Sequence, residues 1–189
     1  MNPGEIAVLE GPNGSGKTTL LLCLGGLLHP TSGQIWVDGH DLDSDEVEAK
    51  RCLAFIPDVP RFYFELTAWE HLRFIASAHD AAHDFEPRAE MLMREFGLWE
   101  ARDLFPHHYS RGMSLKLGLL LAFIRPFKVL LLDEPTSAMD PDSKLLLLQR
   151  LADYRTQGVA VLLSTHDPGL KHGLADRVYY LKNGYLSTV

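Results

Sequence analysis

No apolar run in the chain approaches the roughly 18 residues that a membrane-spanning helix requires, so any role at a membrane is expected to be peripheral. Basic residues are few and scattered: 18 Lys and Arg against 25 Asp and Glu leave a net charge of −7. Without a polybasic block to neutralise phosphates, nucleic acid is not expected as the main ligand. Only two cysteines occur, Cys23 and Cys52, with no metal-ligand spacing, and both read as buried small apolar residues. Internal repeats and low-complexity linkers are missing, which counts against repeat arrays. The N-terminus shows no basic segment followed by an apolar stretch and a cleavage site, so no signal peptide is expected and the cytosol is the expected compartment. What remains is 189 residues at 46% hydrophobic and 23% charged, enough for one well-buried core and a small inserted subdomain.

One stretch organises the rest. Gly11-Pro12-Asn13-Gly14-Ser15-Gly16-Lys17-Thr18 fits G-x-x-x-x-G-K-[ST] between an apolar run at residues 6–9 and a helical one at 19–28. The glycines allow positive φ and close backbone approach, so successive N–H groups of the loop can meet phosphate oxygens. The helix beginning near Gly16 adds its positive end, and Lys17 supplies a full charge toward the β- and γ-phosphates. The Thr18 hydroxyl is placed to ligate Mg²⁺, and Thr19 to hold the α-phosphate.

Around this loop the pattern is α/β. Residues 5–10 read as a buried strand, and the helix after the loop is expected to end around Gly25-Gly26. Residues 34–37 with Asp38-Gly39 read as a strand closing on a hairpin turn. Asp43 with Glu46 is expected to cap a short polar helix to Arg51, and residues 53–56 form a short apolar strand stopped by Pro57. From Asp58 to about Arg125 the pattern is helical. Thr67 with Glu70 make a capping box for a helix to about Ala78, and Pro87 opens another that ends at Gly97. Ser110 precedes a long helix over residues 113–124, stopped by Pro126. These segments predict a helical subdomain, residues 58–125, inserted within the α/β part. Residues 128–132 and 159–163 are continuous apolar strands of the kind buried on both faces of a parallel sheet. Asp140-Pro141 starts the helix between them, which runs to residues 154–156. A short helix to about Leu174 and a hairpin at Asn183-Gly184 finish the chain. The ligand is expected at the carboxyl ends of the strands.

Three further groups of residues fall where such a ligand would lie. Asp133 and Glu134 end the first of those apolar strands, where Asp133 would hold Mg²⁺ and Glu134 would polarise the attacking water. Two carboxylates at a solvated strand end are the plainer alternative. Ser164-Thr165-His166-Asp167 end the next strand and place the His166 imidazole over the same crevice, able to bond a γ-phosphate. Other histidines, such as His107 and His108, sit in surface segments. Tyr109-Ser110-Arg111-Gly112-Met113 open the long helix, where Ser110 and Gly112 could bind an anion delivered from elsewhere, although Ser110 also reads as a plain helix cap.

In this order the motifs resemble the ATP-binding subunit of ABC transporters over nearly the whole chain. Gly11 to Thr18 resembles the Walker A motif, Val129 to Glu134 the Walker B motif, Pro135 to Asp140 the D-loop, and His166 the switch histidine. Tyr109 to Met113 is similar to the family signature, in a variant that resembles bacterial exporters with a separate permease chain. The resemblance implies a P-loop NTPase fold with a parallel sheet core, a small antiparallel β part and an inserted helical subdomain, all within one ABC-type domain, residues 1–189. It implies hydrolysis of ATP with Mg²⁺, catalysed by Glu134, His166 and Lys17. It implies a second ATPase subunit, identical or not, whose nucleotide Ser110 and Gly112 would complete, and a membrane permease contacted at the cytoplasmic face of the inner membrane. The glutamine that ligates Mg²⁺ in the family falls at Asp58, which makes Asp58 a third expected metal ligand beside Thr18 and Asp133. The aromatic residues that follow it, Phe62-Tyr63-Phe64 and Trp69, fall where the permease's coupling helix would dock. The two strands that usually precede the segment at Asn2-Pro3-Gly4-Glu5 have no counterpart in this sequence, either because its start is placed late or because they are lost, and in the second case weaker base stacking is expected. A soluble non-transport ABC-type ATPase, a kinase sharing the loop and a weakly active regulatory nucleotide-binding protein are the alternatives.

Overall fold

The computed structural model describes residues 1–188. Along the chain run β1 (Ile6–Glu10), α1 (Lys17–Leu24), β2 (Trp36–Val37), β3 (His40–Asp41), α2 (Glu46–Cys52) and β4 (Leu53–Ile56). Then come α3 (Ala68–Ala78), α4 (Phe85–Glu95), α5 (Arg111–Phe123) and β5 (Val129–Asp133). The last elements are α6 (Pro141–Thr156), β6 (Ala160–Ser164), α7 (Pro168–Leu174), β7 (Arg177–Lys182) and β8 (Tyr185–Thr188). Contacts divide the chain into two compact units. Residues 58–126 and 138–146 form the second, and the remaining stretches form the first. Among the described residues no helix is long and apolar enough to cross a membrane.

The first unit is built on a six-stranded sheet of order β4-β5-β6-β1-β7-β8, parallel throughout except for the antiparallel β7–β8 edge. Its inner strands are apolar on both faces because both faces are covered. Ile6 to Leu9, Leu130 to Leu132 and Val161 to Leu163 are all buried. β2 and β3 make a separate two-stranded antiparallel ribbon, so the fold is the α/β arrangement with a small antiparallel part that the sequence pattern implies. Both hairpins turn on left-handed pairs, Asp38 (φ 49°) with Gly39 (φ 86°) and Asn183 (φ 51°) with Gly184 (φ 78°). Those angles suit the twist of the flanking strands.

α1 starts at Lys17 with Gly16 (φ 101°) as its N-cap, as expected, but one helix boundary in the first unit differs from expectation. α2 is not capped by Asp43: its N-cap is Asp45, with no side-chain bond. The carboxylate active here is Asp41, whose Oδ1 accepts from the N–H groups of Asp43 and Ser44, each at 2.9 Å. A side chain that bonds two residues onward makes a turn rather than a helix start. Cys23 and Cys52 are half-buried rather than fully enclosed.

The second unit is helical, packed around Leu72, Met93, Phe96, Leu115 and Leu119. α3 carries the expected capping box. Thr67 Oγ1 accepts from Glu70 N–H at 3.2 Å, and Glu70 Oε2 accepts from Thr67 N–H at 2.8 Å. His71, to which no motif points, is buried and bonded at both ring nitrogens. Nδ1 donates to the Thr67 carbonyl at 2.7 Å, and Nε2 accepts from Tyr63 N–H at 2.9 Å. These partners fit the neutral ring with its proton on Nδ1 and tie segment 62–64 to α3. α4 begins at Phe85, not at Pro87, with Asp84 (φ 53°) as its N-cap. Pro87 is tolerated inside because first-turn N–H groups have no intrahelical partner.

Candidate active site

In the first unit β1 delivers the chain into the glycine loop. Gly11 has φ 150°, and a Cβ there would lie 2.2 Å from the Leu181 carbonyl oxygen and 2.8 Å from Ser15 Oγ. Only glycine fits that approach. Pro12, Asn13 and Gly14 form the exposed tip, Gly14 and Gly16 adopt positive φ, and the Ser15 N–H closes a turn on the Pro12 carbonyl at 3.1 Å. Lys17 is buried, and its Nζ donates to the carbonyls of Gly11 at 2.8 Å and Pro12 at 3.3 Å, which holds its charge across the loop. Thr18 and Thr19 are exposed in the first turn of α1.

Sheet register brings the strand-end residues to the loop. Asp133 pairs with Ser164 across β5 and β6, and Ser164 pairs with Leu9 of β1. Three consecutive parallel strands therefore end together. Asp133 Oδ2 accepts from Thr18 Oγ1 at 2.7 Å, and its Oδ1 accepts a short bond from Ser164 Oγ. In sequence Ser164 is only the start of the His166 segment; the β5–β6 register makes it the group that orients Asp133. Glu134 stands in the left-handed region (φ 48°), its N–H shared between the Ser164 carbonyl at 3.1 Å and Ser164 Oγ at 3.0 Å. Glu134 Oε1 approaches His166 Nε2 at 3.3 Å but is not aligned as a hydrogen bond, and the imidazole stands largely in solvent.

This arrangement fits a nucleotide polyphosphate. Ser15 Oγ in the glycine loop and Glu134 Oε1 just after β5 are buried oxygens with no hydrogen-bond partner among the described residues, the kind of orphaned group a ligand would satisfy. Thr18 Oγ1 and Asp133 Oδ2 are the hard oxygen donors a small divalent cation prefers. The ABC transporter family model matches residues 1–137, from β1 through the segment after Glu134. This chain belongs to the ABC transporter family. An ABC-type transporter ATP-binding protein, EcsA of Bacillus subtilis (strain 168), is 32% identical over 185 residues, covering 97% of this chain and 75% of that protein. A solved ATP-binding subunit of an ABC transporter superposes with a TM-score of 0.92 at 34% identity, covering 100% of this chain and 80% of the other. An ATP-binding cassette dimer in a post-hydrolysis state bound to ADP and Pi gives 0.87 at 26% identity, covering 98% and 86%. The chain is accordingly an ABC transporter ATP-binding subunit, an ATPase by family.

In the second unit of this ABC subunit, the N-terminus of α5 carries the remaining expected residues. Ser110 is its N-cap, the hydroxyl accepting from Met113 N–H at 3.2 Å. A Cβ on Gly112 would lie 2.6 Å from the Ala138 carbonyl oxygen, so close packing alone requires glycine there. Asp58 Oδ1 accepts from Arg111 Nη2 at 2.8 Å, so the expected metal ligand is engaged by a guanidinium. Nothing in the sequence pattern links two residues 53 positions apart. Tyr109 donates its hydroxyl to the Ala101 carbonyl at 2.8 Å, and burial pushes its pKa from 10.0 up to about 12. The neutral phenol is thus favoured in the fold: its contribution is complete below pH 10 and is lost as pH rises toward 12. Ultraviolet titration should show one late-ionising tyrosine, absent in Tyr109→Phe; a single transition shared by all tyrosines would contradict it.

Proposed function

We propose that this ABC subunit binds Mg·ATP in the loop from Gly11 to Thr19, hydrolyses it, and works as one of a pair of ATPase subunits on a membrane permease. The observation that carries the reading is the convergence of Thr18, Asp133, Ser164 and Glu134 beside the glycine loop. Lys17 exchanges its bonds to the loop carbonyls for the β- and γ-phosphates, and Ser15 Oγ gains the partner it lacks. Thr18 and Asp133 hold the Mg²⁺, which when bound neutralises phosphate charge. Glu134 Oε1 orients water toward the γ-phosphorus, and His166 bonds the γ-phosphate oxygens. Ser110 and Gly112 reach the nucleotide of the second subunit, identical or paralogous.

The permease meets the subunit at the cytoplasmic face of the inner membrane, through an aromatic groove in the second unit. That groove, about 350 Å³, is lined by Val59, Phe62, Tyr63, Phe64 and His107. Phe64 stacks on His107 with centroids 4.4 Å apart, yet Phe64, Tyr63 and Val59 remain mostly exposed. Exposed apolar surface of this kind marks a docking face. The test is phosphate release from ATP by the purified chain. Turnover should require Mg²⁺, stop in EDTA and rise with protein concentration more steeply than linearly, as shared sites demand. Magnesium-independent turnover, or strictly linear concentration dependence down to nanomolar protein, would overturn the paired-site reading.

A further inference from the structure

We infer that Asp58 and Arg111 form a positioning pair that fixes the segment leading into the aromatic groove to the first turn of α5. Arg111 occupies the first position of α5, where a cation opposes the positive end of the helix and is disfavoured. Asp58 supplies, from 53 residues upstream, the carboxylate that this helix end prefers. The carboxylate is presented on a stiff stretch: Pro57 precedes it and Pro60 follows Val59, which limits the backbone on both sides. Both partners also line the groove with Tyr63 and Phe64, so anything that shifts residues 58–64 pulls directly on the residue after the Ser110 cap. The side chains are 36% and 59% exposed, so the pair adds little to global stability and is sensitive to salt. Its effect is local: it sets where the Arg111-Gly112 turn lies relative to the docking face. Asp58 in this role acts through Arg111 and does not hold the metal.

The inference rests on the ATPase reading above, and its test separates the two. Steady-state ATPase is measured for Asp58→Asn, Arg111→Gln, the double variant and the charge swap Asp58→Arg with Arg111→Asp, each across a Mg²⁺ titration. Hydrogen exchange at the amides of residues 111–114 is followed in parallel without nucleotide. The pair predicts that each single variant lowers kcat and speeds exchange by about 2- to 5-fold, the scale of an exposed ion pair. It predicts that the double variant is no worse than either single one, that the swap recovers part of the loss, and that half-saturating Mg²⁺ stays constant. A rise of tenfold or more in half-saturating Mg²⁺ for Asp58→Asn alone would make Asp58 a metal ligand and overturn the pair. Additive losses in the double variant would also overturn it. If the wild-type chain hydrolyses no ATP, the ATPase reading fails while the exchange cycle still decides the pair.

Discussion

Glu134→Gln should lose about 10²- to 10⁴-fold in turnover, the usual contribution of a positioned general base, while still binding ATP. The substitution keeps the shape of the side chain and leaves untouched what holds this residue in place. Its backbone N–H is anchored to Ser164 through the carbonyl and the hydroxyl, and neither bond depends on carboxylate charge. The variant should therefore fold as the parent does and accumulate with nucleotide bound. Light scattering should then report a doubling of mass with Mg·ATP, and Ser110→Arg in the same background should abolish the doubling by blocking the second subunit's nucleotide. Residual turnover within tenfold of wild type would give the water-orienting role to another group, and a monomer under all conditions would remove the paired-subunit reading.

Gly11→Ala should be the most damaging single methyl in the molecule. The added carbon would sit 2.2 Å from the Leu181 carbonyl, a backbone atom of β7 that cannot swing aside, and the backbone there (φ 150°) is one that alanine rarely adopts. Overpacking of this kind costs about 1–3 kcal/mol. In a chain of this size each kcal/mol lowers Tm by about 2–4 °C. ATP binding should be lost as well, because the loop carbonyl that Lys17 uses belongs to Gly11 itself. The decisive control is Ser15→Ala in the same background. It removes the 2.8 Å contact with Ser15 Oγ but leaves the one with Leu181, so it should restore neither Tm nor binding. Restoration by Ser15→Ala would place the conflict inside the loop.

Much of the fold was legible because local chemistry and tertiary packing agree. The Thr67–Glu70 capping box, the two turn pairs at Asp38-Gly39 and Asn183-Gly184, and the unbroken aliphatic runs of β5 and β6 each have a mechanism that works within a few residues. The candidate site is legible for the same reason: the glycines, Lys17 and Thr18 stand together in one loop of the sequence. The start of α2 is misplaced because Asp43, with Glu46 three residues on, reads as its cap, whereas the turn built by Asp41 takes up the Asp43 and Ser44 N–H groups and leaves Asp45 as the N-cap. What stayed hidden is long-range: the bond from Ser164 to Asp133, set by β5–β6 register, the carbonyl of Ala138 that forbids a side chain on Gly112, and the Asp58–Arg111 pair. None of these leaves a pattern in neighbouring residues.

Glu134 holds a left-handed backbone that suits glycine or asparagine better than glutamate, at a cost on the order of 1 kcal/mol. A mutant library screened only for heat resistance should therefore enrich Asn or Gly at position 134, and one screened for growth dependent on ATP turnover should return Glu. Codon 134 is thus where two screens on the same gene should drive the population in opposite directions.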